Sequence, residues 1–171
     1  MAAVVLIATA ADPDANTYCT LAEAECYVAG VAYPGKWADA DADQKNRALV
    51  TATRMLDDAM DWFGFPTTYE QRLQHPRIGL VTRTGDEVDD SFVADAVKDA
   101  TSELGVQVLN ANRDADNDAE ATGLSSLSAA GVSLSFKSTA KSKPIPDSVA
   151  RALAHLGQVK GTGFSVPLVR T

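Results

Sequence analysis

Apolar residues recur every three or four positions in two long stretches of the chain. In the first stretch, the repeat predicts a helix over residues 42–63 with one buried face. Its apolar positions are Leu49, Ala52, Leu56, Ala59 and Phe63. In the second stretch, the repeat predicts a helix capped by Asp89, Asp90 or Ser91. Its apolar positions are Val93, Ala96, Val97, Ala100, Leu104 and Val108.

Two shorter helices are predicted from their end signals. Thr20 and Glu23 have the spacing of a capping box, in which each residue satisfies a free backbone amide of the other. A helix is therefore expected to begin at Thr20. Residues 146–148 combine a proline with polar side chains and predict the start of a last short helix. We expect this helix to end at Gly157, because glycine favours the backbone conformation after a helix.

Three stretches have the character of strands. The apolar run 4–7 and the alternating run 132–136 each predict a short strand. Residues 77–90 are expected to form either an irregular loop or a hairpin in which Leu80 and Val81 face Val88. The elements together predict a mainly α fold, a small helical bundle of about four helices with a short β-hairpin or strand addition and an extended C-terminal arm.

The chain is predicted to divide into three parts. Residues 1–110 form a helical core domain, and residues 111–123 form a flexible linker because they are acidic and poor in large apolar side chains. Residues 124–171 contain a strand, the last helix and an extended basic C-terminal arm. The residues predicted to form the structural core are Leu49, Leu56, Trp62, Phe63, Pro76, Arg77, Val97 and Leu104.

The charge of the chain is strongly asymmetric. The net charge of −8 disfavours general binding to nucleic acid or to an anionic membrane. Residues 1–120 contain 22 acidic and 9 basic side chains, whereas residues 121–171 contain one acidic and six basic side chains. This split predicts that the C-terminal part binds nucleic acid or an acidic protein surface, such as a neighbouring copy of the body. The alternative is that the uneven charge has no binding role and only keeps the chain soluble.

The residues that could bind a metal lack the spacing of a metal site. Cys19 and Cys26 do not form a CxxC pair, so reduced thiols are expected rather than a zinc site. The acidic run 114–118 resembles the start of a calcium loop. However, Ala119 and Ser125 stand where that loop requires glycine and glutamate. No metal is expected.

A second acidic group lies on the first long helix. Asp57, Asp58 and Asp61 could hold a divalent ion on one helix face. Acidic runs of this kind are typical of the solvated side of an amphipathic helix. We therefore expect these three carboxylates to face water.

The residue types of catalytic sites are present without a catalytic arrangement. His75 and His155 have no serine, cysteine or aspartate partner at a motif spacing. Gly161 and Gly163 follow a helix, whereas a phosphate-binding loop opens one. The sequence therefore predicts neither an enzyme nor a cofactor site.

Four aromatic residues follow or end the first long helix: Trp62, Phe63, Phe65 and Tyr69. Such rings can stack on single-stranded bases when a basic groove accompanies them. The neighbouring charges are mostly acidic, with only Arg54, Arg72 and Arg77 of the opposite sign. Packing in the core is therefore the favoured interpretation.

Several segments, in order along nearly the whole chain, resemble a known family. They are NTYCTLAEA at 16–24 with Tyr27, ATRMLD at 52–57, WFG at 62–64, QHPR at 74–77, VKDATSEL at 97–104 and IPDSV at 145–149. This pattern resembles the head–tail connector (adaptor, or neck) family of tailed bacteriophages, parts of which carry the label DnaT-like single-stranded-DNA-binding. His75 departs from the pattern, since the family usually has tryptophan there.

The resemblance implies a structural virion protein without catalysis. It implies a ring, commonly of twelve copies, that joins the portal protein to a downstream neck or tail-completion protein. Phage double-stranded DNA would pass through the lumen without specific binding. The protein would be located at the head–tail junction of the virion, and in the host cytoplasm during assembly. No membrane partner is implied.

The C-terminal arm is the segment expected to bind the portal or an adjacent subunit in such a ring. The residues proposed for this contact are Lys160, Phe164, Val166, Leu168, Val169 and Arg170. The alternative function, which the family label suggests, is that of a single-stranded-DNA-binding replication accessory protein.

Overall fold

The computed structural model describes residues 3–111, the backbone of 126–129 and 132–135, and residues 145–161. Its helices are α1 (Leu21–Val28), α2 (Ala42–Ala59), α3 (Asp95–Asn110) and α4 (Asp147–Leu153), with a 3-10 turn at Gly35–Trp37. Its strands are β1 (Met60–Trp62), β2 (Phe65–Pro66), β3 (Arg77–Ile78), β4 (Ser126–Ala129), β5 (Val132–Ser135) and β6 (Gly157–Val159). The predicted mainly α fold of about four helices with small β additions is confirmed.

The main core lies between the two long helices and the last one. Leu56 of α2, Val97 and Leu104 of α3, and Val149 and Leu153 of α4 are fully buried in one cluster. The C-terminal helix therefore shares the hydrophobic core of the first 110 residues. A second cluster, around Trp37, packs α1 against the other side of the helix pair.

Polar side chains close in sequence determine where α1 and α2 begin. The predicted capping box at α1 is confirmed, because the Thr20 side chain accepts from the Glu23 amide and Glu23 bonds the Thr20 amide. Asp41 and Gln44 form the same reciprocal pair at the start of α2. Each pair satisfies amides that the first helical turn leaves without partners.

Helix α2 ends earlier than its apolar repeat predicts. It stops at Ala59, and the next three residues form β1, which pairs antiparallel with β6, so that Trp62 lies opposite Gly157. Gly157 was expected to end a helix and instead belongs to this strand pair. A Cβ atom there would lie 2.8 Å from the Asp61 carbonyl oxygen, so glycine permits the close approach of the two strands.

Helix α3 begins later than predicted. Ala94 is its N-cap, whereas the sequence favoured Asp89, Asp90 or Ser91. The Asp89 carboxylate accepts from the Ser91 amide at 2.8 Å and from the Ser91 hydroxyl at 2.5 Å. Because these bonds close a local turn, the segment before Ala94 leaves the helical path.

The predicted strand at residues 4–7 is wrong. This segment pairs with no strand among the described residues. It is held by side chains and by the Asn16 backbone amide, which donates to the Ile7 carbonyl at 2.9 Å. Asn16 bonds the Ile7 amide at 2.9 Å and the Val5 carbonyl at 2.8 Å. Asn46 bonds the Val4 carbonyl at 2.9 Å. Amide side chains thus take the place of a neighbouring strand in satisfying the backbone.

The remaining β predictions concern the hairpin near Leu80 and the strand over residues 132–136. Leu80 accepts from the Val88 amide at 2.9 Å, and Val81 bridges Glu87, so the predicted hairpin is confirmed. Strand β5 covers most of the predicted 132–136 strand and pairs antiparallel with β4. Phe136, the predicted linker from 112 onward and the arm from 162 onward lie outside the described residues.

Candidate functional site

The predicted core residues occupy three different environments. Trp62 is half-buried and packs against the main core, whereas Phe63 is 46% exposed, so its assignment to the core is wrong. The chain leaves α2 before Phe63, which removes that residue from the helical stripe. The residues that the structure buries are Leu49, Leu56, Pro76, Arg77, Val97 and Leu104.

Arg77 ties the turn after β1 to the β2–β3 hairpin. Its guanidinium donates to the Phe63 carbonyl at 2.6 Å, to the Gly64 carbonyl at 2.7 Å and to the Gln74 carbonyl at 3.1 Å. A guanidinium presents several donors in a fixed plane, which suits three converging carbonyls. Arg77 is therefore committed to the fold and is not available to bind phosphate.

A buried polar cluster fixes the same hairpin to α2. The Tyr18 hydroxyl donates to the Asp57 carboxylate, and the Gln74 amide donates to the Tyr18 oxygen at 3.1 Å. His75 lies edge-on between Tyr18 and Trp62, with a ring-centroid distance of 4.4 Å to Trp62. The expectation that Asp57 faces water is therefore wrong, since its carboxylate lies under the hairpin.

Burial shifts the pKa values of this cluster in opposite directions. Burial raises the pKa of Asp57 to about 6, against hydrogen bonds from Tyr18 and Gln74 that lower it. Burial and the nearby Arg77 charge lower the pKa of His75 to about 3. The His75 Nε2 atom has no hydrogen-bond partner in the described structure. Because Asp57, Tyr18 and the Gln74 amide bond one another, the cluster connects the hairpin to α2.

Three of the four aromatic residues considered for stacking are exposed. Phe63 is 46% exposed, Phe65 is 76% exposed and Tyr69 is fully exposed. The favoured interpretation of core packing is wrong for these three residues and holds in part for Trp62. The reason is tertiary: β2 and β3 form a two-stranded sheet, and no other described strand pairs with it.

Phe63 lies in the wall of a groove of about 730 Å³ beside α4 and β6. Ile145, Ala150 and Val159 supply much of the apolar lining. Arg151 and Lys160 also line this groove and are exposed. An aromatic ring, an apolar floor and two cations therefore meet in one concave surface, called here the Phe63 groove.

Hydrogen bonds hold the cations of this groove in place. The Lys160 ammonium donates to the Asp58 carbonyl at 2.8 Å, and its backbone amide donates to the Ala59 carbonyl at 2.8 Å. Arg83 donates to the Arg151 carbonyl at 3.0 Å and adds a third cation next to the groove. Burial, and to a smaller extent the Arg83 charge, lowers the pKa of His155.

The groove is less acidic than the rest of the body. Asp147 is the one carboxylate among its lining residues, against Arg151 and Lys160. The sequence before Ile145 contains Lys137, Lys141 and Lys143, which lie outside the described residues. The groove is thus located where the basic part of the chain meets the acidic part.

The sequence located only part of this groove. Lys160 was assigned to a binding surface, and it lines the groove; the other predicted arm residues, Phe164, Val166, Leu168, Val169 and Arg170, lie outside the described residues. Arg151 and Arg83 were not singled out, because they are far apart in sequence. The signal that existed was the position of Phe63 directly before Gly64, a residue type that marks the end of a helix.

Two further observations on the described part of the molecule concern membrane-spanning helices and metal ligands. None of its helices is long and apolar enough to cross a membrane. In the same residues, no group of three or more His, Cys, Asp and Glu side chains is arranged to hold a metal ion. Cys19 is buried and Cys26 is exposed, and both are free thiols.

A comparison with protein families gives one match. The family model described as "Putative DnaT-like ssDNA binding protein" matches residues 2–171, which is nearly the whole chain. No curated protein sequence and no solved structure matches the chain significantly.

Proposed function

We propose that the chain, which belongs to this family, binds single-stranded DNA without catalysing a reaction. The Phe63 groove is the proposed binding site. The observation that supports it is the meeting of Phe63, Arg151 and Lys160 in one groove of an otherwise acidic body. No cofactor or metal enters this proposal.

The groove contains the two kinds of contact that single-stranded DNA requires. The exposed Phe63 ring can stack on an unpaired base, since every base presents a π face. Arg151 and Lys160 can contact the phosphates on either side of that base, with Arg83 as a third contact. None of these contacts reads a base edge, so binding is expected to be largely independent of sequence.

The acidic body favours single strands over duplex DNA. A duplex is rigid and carries its charges at high density, so much of it would face acidic surface beyond the groove. A single strand is flexible and can place a few nucleotides in the groove. The proposed footprint is therefore short.

The proposal is tested by fluorescence anisotropy with a labelled oligothymidine at low salt. We expect Phe63→Ala to weaken binding roughly tenfold, because base–aromatic stacking contributes about 1–3 kcal/mol per base. The double variant R151A/K160A should also weaken it. Tyr33→Ala is the matched control, since Tyr33 is an 89% exposed aromatic outside the groove.

The possible outcomes of this binding experiment distinguish the proposed function from the proposed site. Binding that is lost in the Phe63 and cation variants and retained in the Tyr33 variant supports the groove. If the unmodified chain binds no single-stranded DNA at low salt, the proposed function is wrong. If all variants bind equally, the assignment to this groove is wrong.

A second candidate function is the head–tail connector that the sequence pattern resembles. The observation that favours it is the charge split, with 22 acidic and 9 basic side chains in residues 1–120. An acidic body that lines a channel would repel DNA phosphates and let the duplex pass freely. The ring of copies, the portal, the downstream neck protein and the location in the virion all belong to this second proposal.

The connector proposal is tested by mixing the purified chain with portal rings and imaging the product by negative-stain microscopy. A chain lacking residues 161–171 should fail to attach, if the arm makes the contact. Attachment of the truncated chain would contradict the role of the arm, and absence of any ring–portal complex with the full chain would contradict the connector function.

A further inference from the structure

Three exposed apolar side chains lie together near the β2–β3 hairpin. Phe65 and Ile78 are directly paired across the two strands, and they are 76% and 44% exposed. Phe92 is 49% exposed and lies two residues after Asp90, whose carbonyl accepts from the Thr67 hydroxyl at 3.1 Å. We call Phe65, Ile78 and Phe92 the hairpin patch. Grouped exposed apolar residues of this kind mark interaction surfaces.

The charges around the hairpin patch are almost all negative. Residues 84–96 contain five acidic side chains and no basic side chain. None of these five acidic side chains forms a salt bridge within the described structure. They are Asp86, Glu87, Asp89, Asp90 and Asp95. The loop between β2 and β3 contains one exposed charge of each sign, Glu70 and Arg72, so the excess of negative charge comes from residues 84–96. Arg83 is nearby in sequence, but it donates to the Arg151 carbonyl beside the Phe63 groove.

This charge pattern identifies the chemistry of the partner. We propose that the hairpin patch is a docking surface for a protein segment that carries apolar anchors flanked by lysine or arginine. The apolar anchors would cover Phe65, Ile78 and Phe92, and the basic residues would meet the acidic rim. Nucleic acid is a poor occupant, because the rim would repel its phosphates.

The two aromatic surfaces therefore differ in partner because their rims differ in charge. Phe63 has Arg151 and Lys160 in its groove, whereas Phe65, only two residues later, belongs to the hairpin patch, which the Thr67–Asp90 hydrogen bond connects to the acidic segment 84–96. Gly64 separates them with a φ of +66°, a conformation that glycine adopts readily and that turns the chain between the two surfaces. The proposal for the hairpin patch does not depend on the proposed DNA site and is tested separately.

The test uses two synthetic peptides with the same alternating leucines, one with lysine and one with glutamate between them. Each labelled peptide is titrated with the unmodified chain, with F65S/I78S and with Y33S. Tyr33 is the matched control, because it is distant from the hairpin patch. It lies next to the 3-10 turn, which contacts Asn110 at the C-terminal end of α3, whereas Phe92 precedes the N-terminal end of α3. Thermal unfolding of each variant checks the fold.

We expect the chain to bind the lysine peptide and not the glutamate peptide, and we expect F65S/I78S to weaken this binding roughly tenfold. Y33S should bind like the unmodified chain. The variant D86N/E87Q, which leaves the patch intact, should lower both the affinity and its salt dependence. A folded F65S/I78S that binds the lysine peptide as well as the unmodified chain would overturn the proposal. Loss of oligothymidine binding in F65S/I78S would instead assign the patch to DNA and would equally overturn it.

Discussion

Asp57 and His75 belong to one buried cluster, yet burial has opposite consequences for their charge. Burial disfavours the charged form of each group, so an acid gains protons and a base loses them. The pKa of Asp57 rises to about 6, and the pKa of His75 falls to about 3. Stability therefore depends on pH through both residues, with opposite signs.

Asp57→Asn should change the pH dependence of stability. The stabilising contribution of Asp57 is fully present below its unfolded pKa of 3.8 and is lost as pH rises through about 6. Asparagine has no such loss, so the stability of D57N relative to the unmodified chain should rise between pH 4 and 7.5. The rise is at most about 3 kcal/mol, at about 1.4 kcal/mol per pKa unit.

Urea unfolding at the two pH values measures this difference, with Asp58→Asn on the exposed neighbouring position as the control. A stability difference between D57N and the unmodified chain that stays constant with pH would contradict the raised pKa.

His75 should remain neutral well below the ordinary histidine range. Its pKa is lowered, so its contribution to stability is present above the unfolded pKa of 6.5 and is lost as pH falls towards about 3. Nitrogen-detected NMR of the imidazole should therefore show a neutral ring at pH 5. A titration midpoint near 6.5 would show that the ring is accessible to water and that the cluster is open.

At the scale of elements, the β1–β6 pair and the β2–β3 hairpin decide where the functional side chains lie. Strand β1 follows directly after α2, so the chain leaves the helical stripe at Met60 and carries Phe63 to the surface. Arg77 then holds the turn at Gly64 through three carbonyl groups. The sequence pattern could not predict this exit, because a three-residue strand has no periodicity that distinguishes it from a helix end.

Gly157→Ala should destabilise the β1–β6 pair. An added Cβ would lie 2.8 Å from the Asp61 carbonyl oxygen and 3.1 Å from the Trp62 Cα, both of them backbone atoms. Such overpacking costs about 1–3 kcal/mol. Denaturant unfolding measures the loss, with Gln158→Ala on the adjacent exposed position as the control. Equal stability of G157A and the unmodified chain would show that the strands can separate without cost.

Arg77→Lys should destabilise the hairpin although it keeps the charge. An ammonium group cannot reach three carbonyls in the plane that the guanidinium serves. We expect a loss of about 1.5–3 kcal/mol, since hydrogen bonds to charged groups contribute this much. Arg72→Lys, at an exposed position in the same loop, should have little effect. If R77K unfolds at the same urea concentration as the unmodified chain, the carbonyl contacts do not stabilise the hairpin.

At the scale of the whole molecule, the Phe63 groove and the rest of the surface differ in charge. The net charge is −8, whereas three cations, Arg83, Arg151 and Lys160, lie in or next to the Phe63 groove. The acidic remainder limits how much nucleic acid the molecule can hold. Any DNA binding is thus expected to be local and sensitive to salt.

The salt dependence of oligothymidine binding should reflect three phosphate contacts. Each contact with a single strand contributes about −0.7 to the slope of the logarithm of affinity against the logarithm of salt concentration, so three give about −2. Arg83→Ala should reduce this slope by about one contact. A slope near zero would mean that phosphates are not bound, and a much steeper slope would show that further cations take part.

The amino-acid sequence by itself determined the helical fold and much of its core. Leu49, Leu56, Val97 and Leu104 are predicted and found buried, because a repeat of three to four residues has one structural consequence in a helix. The capping box of Thr20 and Glu23 is equally local. Such features depend on residues close in sequence, and so the sequence is sufficient to predict them.

Only the tertiary structure decided which side chains share a surface. Phe63 meets Arg151 and Lys160 because β1 pairs with β6, a contact between residues nearly 100 positions apart. Asp57 is covered by Gln74 of the segment before β3, and Phe65 is left exposed because β2 pairs only with β3 among the described strands. Burial and charge environment depend on packing between distant segments. The proposed DNA groove and the hairpin patch are therefore properties of the fold that no local pattern in the sequence contains.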